Sequence, residues 1–387
     1  MNRLNYLQKQ LNHFEKKYPN KSLYCVLRMI MSSFYSLFIR ESKKIKRRNY
    51  TILFDIKGGL GDAIIASNFI NCFYHYIKDP NIKIKIVYPS KEILNNIFTG
   101  LPNNITLTTN IKETADLKIE LNRFPKVPLQ IEHKNPRLEK LLNCWHTFFN
   151  YNKKFFSLLP QIDGLANDYA EILGSKRINQ ADIGGILNLK EEFIYKIPVK
   201  KETPILKKFN LLNRAYITLH LGIPLEKNAL TNNKLWPEQY WQILIKKLKA
   251  EYPNYIIVLL GINKERNSHI FEGVDIDLRS KTSLEDIKVI LKNSLLHIDT
   301  EGGFVHLRHA LKGGPSVVLF GPTSPNVYGY TENLNLRSKA CLKSCEWITN
   351  DWLTRCPRRT NKNICMSTLT PDFVFNEIKI KFKTPLA

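Results

Sequence analysis

A glycine-rich turn near residue 60 could hold a carboxylate for acid–base chemistry. The segment GGLGD places Gly58, Gly59 and Gly61 ahead of Asp62, between the apolar run TILFDI and a stretch with helical spacing. Glycines at such a turn let backbone N–H groups approach an anion or a sugar, although the spacing is not the dinucleotide-binding G-x-G-x-x-G. Asp62 is predicted to accept a proton from an attacking hydroxyl at this ligand-binding sheet edge. The alternative is that it only caps the helix.

A cationic site is predicted in the second half of the chain. Lys234, in NKLWPE, precedes a helix and follows the apolar run YITLHLG. An ammonium group there can meet the phosphates of a nucleotide and the charge that develops on a leaving group. Thr218 and His220, in the preceding run, are further candidates. The alternative is that Lys234 is an ordinary surface lysine.

A second glycine pair follows an acidic strand end in DTEGGFVHLRHAL. Gly302 and Gly303 allow a ligand to approach the N-terminus of a helix that the sequence predicts to begin at His306. Glu301 is predicted to bind sugar hydroxyls. His306 is predicted to contact the ligand, the alternative being a packed or capping histidine. Thr323, in the next strand-end turn FGPTSP, adds a hydroxyl.

Four of the seven cysteines cluster near the C-terminus in the pattern C-x3-C-x10-C-x8-C. They are Cys341, Cys345, Cys356 and Cys365. Four thiolates at short spacing suit tetrahedral zinc or iron, and the alternative is four reduced, partly buried thiols. Because no acid or base is recognised within the cluster, its predicted role is structural. The odd count and the scatter of the other three argue against a secreted disulfide framework.

The predicted strands and helices that carry these residues form two α/β halves. Residues 51–56, 83–89 and the segment TADLKIEL are predicted strands of the first half, and 63–77 is a predicted helix. The second half begins at residue 216, where strands alternate with helices up to 325. Alternating strands and helices predict parallel sheets in a doubly wound α/β fold. A terminal helix is predicted over 370–383.

Length and composition set outer limits on the function. The 387 residues are enough for two to three domains, and 43% hydrophobic with 24% charged residues excludes wholesale disorder, a collagen and a polytopic membrane protein. Lys and Arg number 58 against 34 Asp and Glu, a formal charge of +24. Such an excess indicates anionic partners: a nucleotide, a phosphorylated substrate, an acidic membrane or a nucleic acid.

The N-terminal region is compatible with more than one cellular location of the protein. It carries no secretory signal, so a cytoplasmic protein is predicted. Residues 23–39 are largely apolar, and a basic run, RESKKIKRR, follows them. Such a segment can lie on an anionic bilayer, and peripheral attachment to the inner membrane is one prediction. The alternatives are a helix packed on the first domain and, because 17 residues are at the short limit, a membrane span.

Taken in order, these segments resemble glycosyltransferase family 9, the lipopolysaccharide heptosyltransferases. The resemblance is carried by GGLGD, NKLWPEQYW, EGGFVHLRHAL with PSVVLFGPTSP, and the Cys-rich stretch ending CMSTLTPDFV, and it covers about residues 50–380. It implies a GT-B fold, with two Rossmann-like domains facing across a cleft. The nucleotide-sugar donor would bind the C-terminal half and the acceptor the N-terminal half. Transfer would be inverting, with no cofactor required for catalysis.

The resemblance also assigns roles to residues. Asp62 becomes the base, Lys234 holds the donor diphosphate beside Thr218 and His220, and Glu265 accepts from the ribose hydroxyls. The donor phosphate and sugar would be lined by Glu301, Gly302, Gly303, His306 and Thr323, and the acceptor loop by Gly58, Gly59 and Gly61. The chain departs from the family pattern because Glu301 stands at an aspartate position and Gly302 where serine or threonine is usual. The cysteine cluster is similar to that of protein-heptosylating relatives that bind iron.

The predicted organisation follows from these segments. Residues 1–48 form a basic and apolar helical extension, 49–205 the acceptor domain and 206–369 the donor domain with the Cys-rich segment 341–365. Residues 370–387 form a helix packing back toward the N-terminal domain. The predicted reaction transfers heptose from ADP-heptose to a lipopolysaccharide core or related glycan. The alternatives are another nucleotide sugar, a protein acceptor, or a non-enzymatic basic protein that binds membranes or nucleic acid, although no nucleic-acid recognition motif occurs.

Overall fold

A computed structural model describes most of the chain. The described residues are 42–44, 50–127, 130–132, 135–156, 167, 170, 173–222, 232–261, 271–342, 344–357 and 363–382. The apolar segment 23–39 lies outside them, and so does Glu265. No helix in the described ranges is long and apolar enough to cross a bilayer.

The N-terminal lobe is built on a five-stranded sheet. Its order is β4–β3–β2–β5–β6, with all neighbours parallel except β6, which runs antiparallel to β5. A short parallel pair, β1 with β7, is separate from it. The bounds are β1 Ser42–Lys44, β2 Tyr50–Ile56, β3 Ile82–Val87, β4 Ile105–Thr108, β5 Leu117–Leu121, β6 Pro125–Lys126 and β7 Gln130–Glu132.

Helices cover this sheet and begin at its carboxyl edge. Their bounds are α1 Leu60–Ile77, α2 Lys91–Ile93 continued by a π-helical turn Leu94–Phe98, and α3 Pro136–Phe156. The apolar side of α1 packs Phe69 and Phe73 edge-on against Phe54 of β2, and Trp145 of α3 stacks on Phe73. Burial of these rings fixes the first residues of α1 at the end of β2, where the GGLGD turn lies.

The C-terminal lobe has a six-stranded sheet that is parallel throughout. Its order, β10–β9–β8–β11–β12–β13, is that of a doubly wound sheet with the switch between β8 and β11. The bounds are β8 Tyr216–His220, β9 Ile256–Leu260, β10 Ile276–Asp277, β11 Leu296–Thr300, β12 Ser316–Phe320 and β13 Leu334–Arg337. The four central strands are buried along their whole length, which explains why they appear as continuous apolar runs.

The helices of this lobe agree with the predicted alternation, with two corrections. They are α4 Glu202–Lys208, α5 Glu238–Glu251, α6 Leu284–Asn293, α7 Gly303–Ala310, α8 Pro325–Tyr328, α9 Ile364–Ser367 and α10 Pro371–Lys381. Helix α7 begins at Gly303, three residues before the predicted start at His306. Helix α10 packs on α5 and β13 of its own lobe, because Val374 and Ile378 share an apolar cluster with Trp241. The prediction that it packs toward the N-terminal domain is wrong for residues 371–381.

Contacts at the front and at the back join the lobes. At the front, α1 packs on α7, so the two glycine turns come together. At the back, Glu92 accepts a hydrogen bond from the Leu284 N–H at 2.9 Å, which caps α6 with a residue of the other lobe. The buried ammonium of Lys288 on α6 donates to the carbonyl of Asn96 at 3.1 Å and to that of Pro198 at 2.5 Å. These contacts fix the carboxyl ends of both sheets toward the same space.

Candidate active site

A cavity of about 560 Å³ lies between the lobes, at the carboxyl ends of both sheets. The residues that line it include most of the predicted ones. From the N-terminal lobe these are Gly58, Gly59, Gly61 and Asp62, and from the C-terminal lobe His220, Lys234, Glu301, Gly302, Gly303 and His306. The sequence therefore identified the residues of one shared space, although they are separated by up to 248 positions in the chain (Gly58 to His306).

Glycine is required where the two turns touch. A Cβ on Gly61 would lie 2.6 Å from Cδ2 of His306, and one on Gly303 would lie 3.0 Å from Cβ of Leu60. Gly58 adopts φ +104°, and a Cβ there would lie 2.1 Å from Oδ2 of Asp62. Larger residues would force the turns apart or displace Asp62, so the glycines set the width of the front contact.

Asp62 is held by two hydrogen bonds. Its Oδ2 accepts from the N–H of Gly59 at 3.0 Å in a capping arrangement at the start of α1. Its Oδ1 accepts from Nη2 of Arg177 at 2.7 Å. Asp62 is therefore the predicted helix cap and also a carboxylate of the cavity, because 29% of its side chain remains exposed. The side chain of Arg177 is buried. Arg177 also donates to the carbonyl of Asn122, and sequence reasoning missed it because it lies in an irregular segment without a motif.

Lys234 contacts Glu301 in the wall of the cavity. Its ammonium forms an ion pair with Oε2 of Glu301, and Oε1 of that carboxylate lies 3.6 Å from Nε2 of His306. Nδ1 of His306 is 2.7 Å from the hydroxyl of Tyr330, which orients the ring. Burial favours the neutral carboxyl of Glu301, but the charges of Lys234 and His306 outweigh it and hold the pKa of Glu301 below its usual range.

The charge of Lys234 is retained for the same reason. Burial disfavours its ammonium, but the carboxylates of Glu301 and Glu346 more than compensate, and the pKa of Lys234 is raised. A quarter of the side chain, 26%, remains exposed to the cavity. A permanently charged cation with one accessible side can bind an anionic ligand such as a diphosphate.

Another buried ion pair joins the two lobes. Arg123, which follows β5, pairs with Glu346 of the Cys-rich segment, and the hydroxyl of Tyr328 donates to the same carboxylate at 2.8 and 3.1 Å. Burial raises the pKa of Glu346 despite the charges of Arg123 and Lys234. The cavity is also lined by Glu346 and Arg123 themselves. The Cys-rich segment thus carries an acid at the cavity, which corrects the interpretation that none lies within it.

His220 belongs to a chain of polar groups beneath the cavity. Its Nδ1 lies 2.8 Å from Oδ1 of Asp299, whose Oδ2 lies 3.3 Å from Nε2 of His297. Nδ1 of His297 in turn lies 3.0 Å from the hydroxyl of Thr218. Although burial alone would raise the pKa of Asp299, the two imidazoles lower it. His220 reaches the cavity, but Thr218 and Thr323 are fully buried and do not line it.

The four clustered cysteines come together as predicted. Cys341, Cys345, Cys356 and Cys365 are all reduced and line one small cavity of about 10 Å³ beside Arg337. Burial and the neighbouring thiols raise the pKa of Cys365 to about 11. Within the described residues no group of three or more His, Cys, Asp or Glu has an arrangement that could already hold a metal ion.

Comparisons with known proteins agree with this architecture. The model of glycosyltransferase family 9 (heptosyltransferase) matches residues 195–350. Lipopolysaccharide heptosyltransferase 1 of Campylobacter coli is 25% identical over 244 residues, which are 60% of this chain and 66% of that relative. The matched stretch therefore spans slightly less than two thirds of the relative's length.

Two solved structures show the fold. The iron-containing dodecameric glycosyltransferase TibC of enterotoxigenic E. coli has a TM-score of 0.56 at 14% identity, covering 88% of this chain and 80% of its own. TibC in complex with ADP-D-beta-D-heptose also has a TM-score of 0.56, at 13% identity, covering 89% and 79%. The GT-B fold, with two Rossmann-like lobes facing across a cleft, is confirmed. The resemblance to glycosyltransferase family 9 is confirmed as well, since the model of that family matches residues 195–350.

Proposed function

We propose that this protein is an inverting glycosyltransferase that moves heptose from ADP-heptose to a hydroxyl of a lipopolysaccharide core or related glycan. The observation that carries the proposal is that Asp62 of one lobe and Lys234 of the other line a single cavity. A carboxylate opposite a cation is the arrangement that glycosyl transfer from a nucleotide sugar needs. The heptosyltransferase description of the matching family and the relative in Campylobacter coli support heptose as the sugar.

The reaction divides between the lobes. Asp62 accepts the proton of the acceptor hydroxyl. At the same time the hydroxyl oxygen attacks the anomeric carbon of the donor on the face opposite the diphosphate. The bond between that carbon and the phosphate oxygen breaks, the configuration inverts, and ADP leaves with the electron pair. Lys234 offsets the charge that grows on the diphosphate. Arg177, bonded to Asp62 at 2.7 Å, keeps the carboxylate oriented toward the acceptor.

Subsites follow from the same geometry. His220, Glu301, Gly302, Gly303 and His306 form the donor side, and the Gly58–Gly61 turn faces the acceptor. Thr218 acts through His297 rather than by contact, and Thr323 supports the turn behind the donor site. Glu265 is proposed to accept from the ribose hydroxyls, on the basis of the family resemblance alone.

A peripheral position on the cytoplasmic face of the inner membrane is proposed as well. The formal charge of +24 suits both a nucleotide diphosphate donor and an anionic glycolipid acceptor. Sedimentation with vesicles of anionic and of neutral lipids tests the attachment. We expect binding to anionic vesicles that declines as salt is raised. Equal binding to neutral vesicles, or none to either, contradicts the peripheral position.

Transfer is tested by incubating the purified protein with ADP-heptose, ADP-glucose, UDP-glucose and GDP-mannose and measuring product mass. Deacylated lipopolysaccharide core and a serine-rich peptide serve as the two acceptors. We expect a mass increase of one heptose on the core oligosaccharide. Product from another donor, or on the peptide, selects one of the alternative transferases. Binding of none of the four nucleotides in a thermal-shift assay contradicts a transferase of nucleotide sugars.

A structural metal at the four cysteines is a separate proposal. The donor set fits, since four sulfur ligands from one segment surround a common cavity, and zinc or iron bound there would cross-link residues 341–365. Metal analysis of the wild type and of Cys345→Ser tests it. We expect about one equivalent of zinc or iron in the wild type and much less in the variant. A wild type purified without chelators that holds no metal contradicts the proposal.

A further inference from the structure

We propose that Trp347 forms a sugar-ring subsite of the cavity, stacking its indole against the apolar face of a pyranose and donating its N–H to a ring hydroxyl. The inference rests on the proposed function and goes beyond it, because the Cys-rich segment then recognises substrate. The pyranose can be the transferred sugar or the acceptor sugar, and both present the same chemistry to the ring.

The position of Trp347 points to the reaction centre. It lines the cavity together with Trp352 and the candidate reacting residues Asp62 and Lys234. Its neighbour Glu346 interacts electrostatically with Lys234 and pairs with Arg123 of the other lobe. In a nucleotide sugar the transferred sugar lies on one side of the diphosphate and the base on the other. A ring that lines the same cavity as the proton acceptor Asp62 and the phosphate-binding Lys234 is therefore better placed for sugar than for the nucleobase.

The backbone at Trp347 is strained. Its φ of +57° lies in the left-handed region, which a bulky residue adopts at a cost of about 1–2 kcal/mol. The flanking chain enforces this conformation, since the N–H groups of Cys345 and Glu346 donate to the carbonyl of Pro322 at 2.9 and 3.3 Å. Glycine would occupy the position without strain. Strain of this kind persists where the side chain is needed in one orientation, and it clusters at ligand sites.

The side chain also has an unused donor. The indole Nε1 of Trp347 is buried from solvent and has no hydrogen-bond partner among the described residues. Its ring centroid lies 5.5 Å from that of Trp352 at an angle of 55°, so the two rings form an aromatic wall. A buried N–H without a partner costs free energy, and this cost is recovered when a rotation of the ring turns the N–H toward a ligand oxygen in the cavity.

A pyranose matches this wall. Its C–H groups form an apolar face that can cover an aromatic ring, and its rim carries hydroxyls that can accept from the indole N–H. The carboxylate of Glu346 is already engaged, because it accepts from Tyr328 and pairs with Arg123. It is a positioning residue that fixes the turn on which Trp347 stands.

The test uses Trp347→Gly and Trp347→Phe in the full-length protein. Glycine relieves the φ of +57°, which offsets part of the packing lost against Trp352, so we expect the variant to remain folded with a Tm within several degrees of wild type. Loss of stacking and of one hydrogen bond should raise KM about 10- to 100-fold for the sugar substrate that contacts the ring. Trp347→Phe keeps the ring and should fall between. Tyr252→Ala, which removes a partly exposed ring outside the cavity, is the matched control and should change neither KM.

Measurements with ADP, ADP-heptose and core oligosaccharide show whether the ring contacts the donor sugar, the acceptor sugar or the nucleobase. A raised KM for ADP-heptose with unchanged affinity for ADP assigns the donor sugar, and a raised KM for core oligosaccharide assigns the acceptor sugar; either supports the proposal. An equal loss of affinity for ADP and for ADP-heptose means that the ring stacks on the nucleobase, and this result overturns the proposal. The proposal is also overturned if both KM values stay within twofold of wild type. If the wild type transfers no heptose, the proposed function fails. The role of Trp347 is then tested by binding alone. Trp347→Gly should weaken the binding of nucleotide sugars by a larger factor than it weakens the binding of the free nucleotides.

Discussion

Replacing Lys234 with alanine separates the two tasks assigned to this residue, binding an anionic ligand and neutralising Glu301. In the free protein the ammonium pairs with Glu301 and interacts electrostatically with Glu346 and Asp62. The substitution leaves a buried carboxylate whose Oε1 lies 3.6 Å from Nε2 of His306. Both the affinity for nucleotide sugar and the stability should therefore fall, by different mechanisms.

The magnitudes follow from the contacts. A charge-assisted contact to a diphosphate contributes about 1.5–3 kcal/mol, so the Kd for ADP should rise about 10- to 150-fold. Breaking a fully buried ion pair costs about 3–5 kcal/mol. The lysine is 26% exposed and His306 remains near the carboxylate, so we expect a loss of about 2–3 kcal/mol in the free energy of unfolding.

The pH dependence of stability has a definite sign. In the wild type the pKa of Glu301 is depressed, so its contribution is present above the unfolded pKa near 4.5 and is lost as pH falls through the folded value. In Lys234→Ala burial acts with less opposition, and the folded pKa of Glu301 should lie above 4.5. The variant is then less destabilised at pH 5.5 than at pH 8, because protonation relieves the buried charge.

Calorimetric titration with ADP and urea unfolding at pH 5.5 and 8 measure these effects. The double variant Lys234→Ala/Glu301→Gln is the control. It should recover most of the stability, because no buried charge is left unpaired, yet it should still bind ADP weakly. An unchanged Kd for ADP in Lys234→Ala would show that the lysine does not bind the diphosphate. A loss of stability that is equal at both pH values would refute the electrostatic role assigned to Glu301.

Three further changes test the surroundings of the site. Arg177→Ala should lower kcat about 10- to 100-fold with the ADP affinity unchanged, since Asp62 loses its 2.7 Å anchor, and an unaltered kcat contradicts a positioning role. Gly61→Ala should cost about 1–3 kcal/mol of unfolding free energy, because its Cβ would lie 2.6 Å from His306, and a variant of wild-type Tm argues against tight contact of the turns. Glu346→Gln should gain stability relative to wild type as pH rises from 5 to 8, because burial raises the carboxyl pKa and ionisation then opposes folding; a constant difference contradicts this.

The parts of the fold that could be predicted are those that depend on local pattern. Strands β8, β9, β11 and β12 are buried on both sides, so each appears as an apolar run ending in a turn. The glycine turns were recognisable because close backbone contact excludes side chains. The packing of α10 depends instead on which apolar faces meet in three dimensions, and the prediction for it was wrong.

The parts of the site that could not be predicted are set by contacts between distant segments. Arg177 lies in an irregular segment, and only the fold brings it 2.7 Å from Asp62, 115 positions earlier. Glu346 was overlooked because it sits between a cysteine and a tryptophan in a segment interpreted as a metal cluster. Thr218 was chosen for its place next to the ligand edge, but strand alternation and depth put it beneath the cavity, against His297.

In the proposed reaction Asp62 removes the proton from the acceptor while the other lobe holds the donor. Asp62→Asn tests it most directly, because the amide oxygen can still accept from the Gly59 N–H at the start of α1 but cannot take a proton. With ADP-heptose and core oligosaccharide, we expect a 10²- to 10⁴-fold lower rate of transfer, roughly 3–5 kcal/mol in the barrier, with the Kd for ADP within about twofold of wild type. A variant that keeps more than about a tenth of the wild-type rate contradicts the claim.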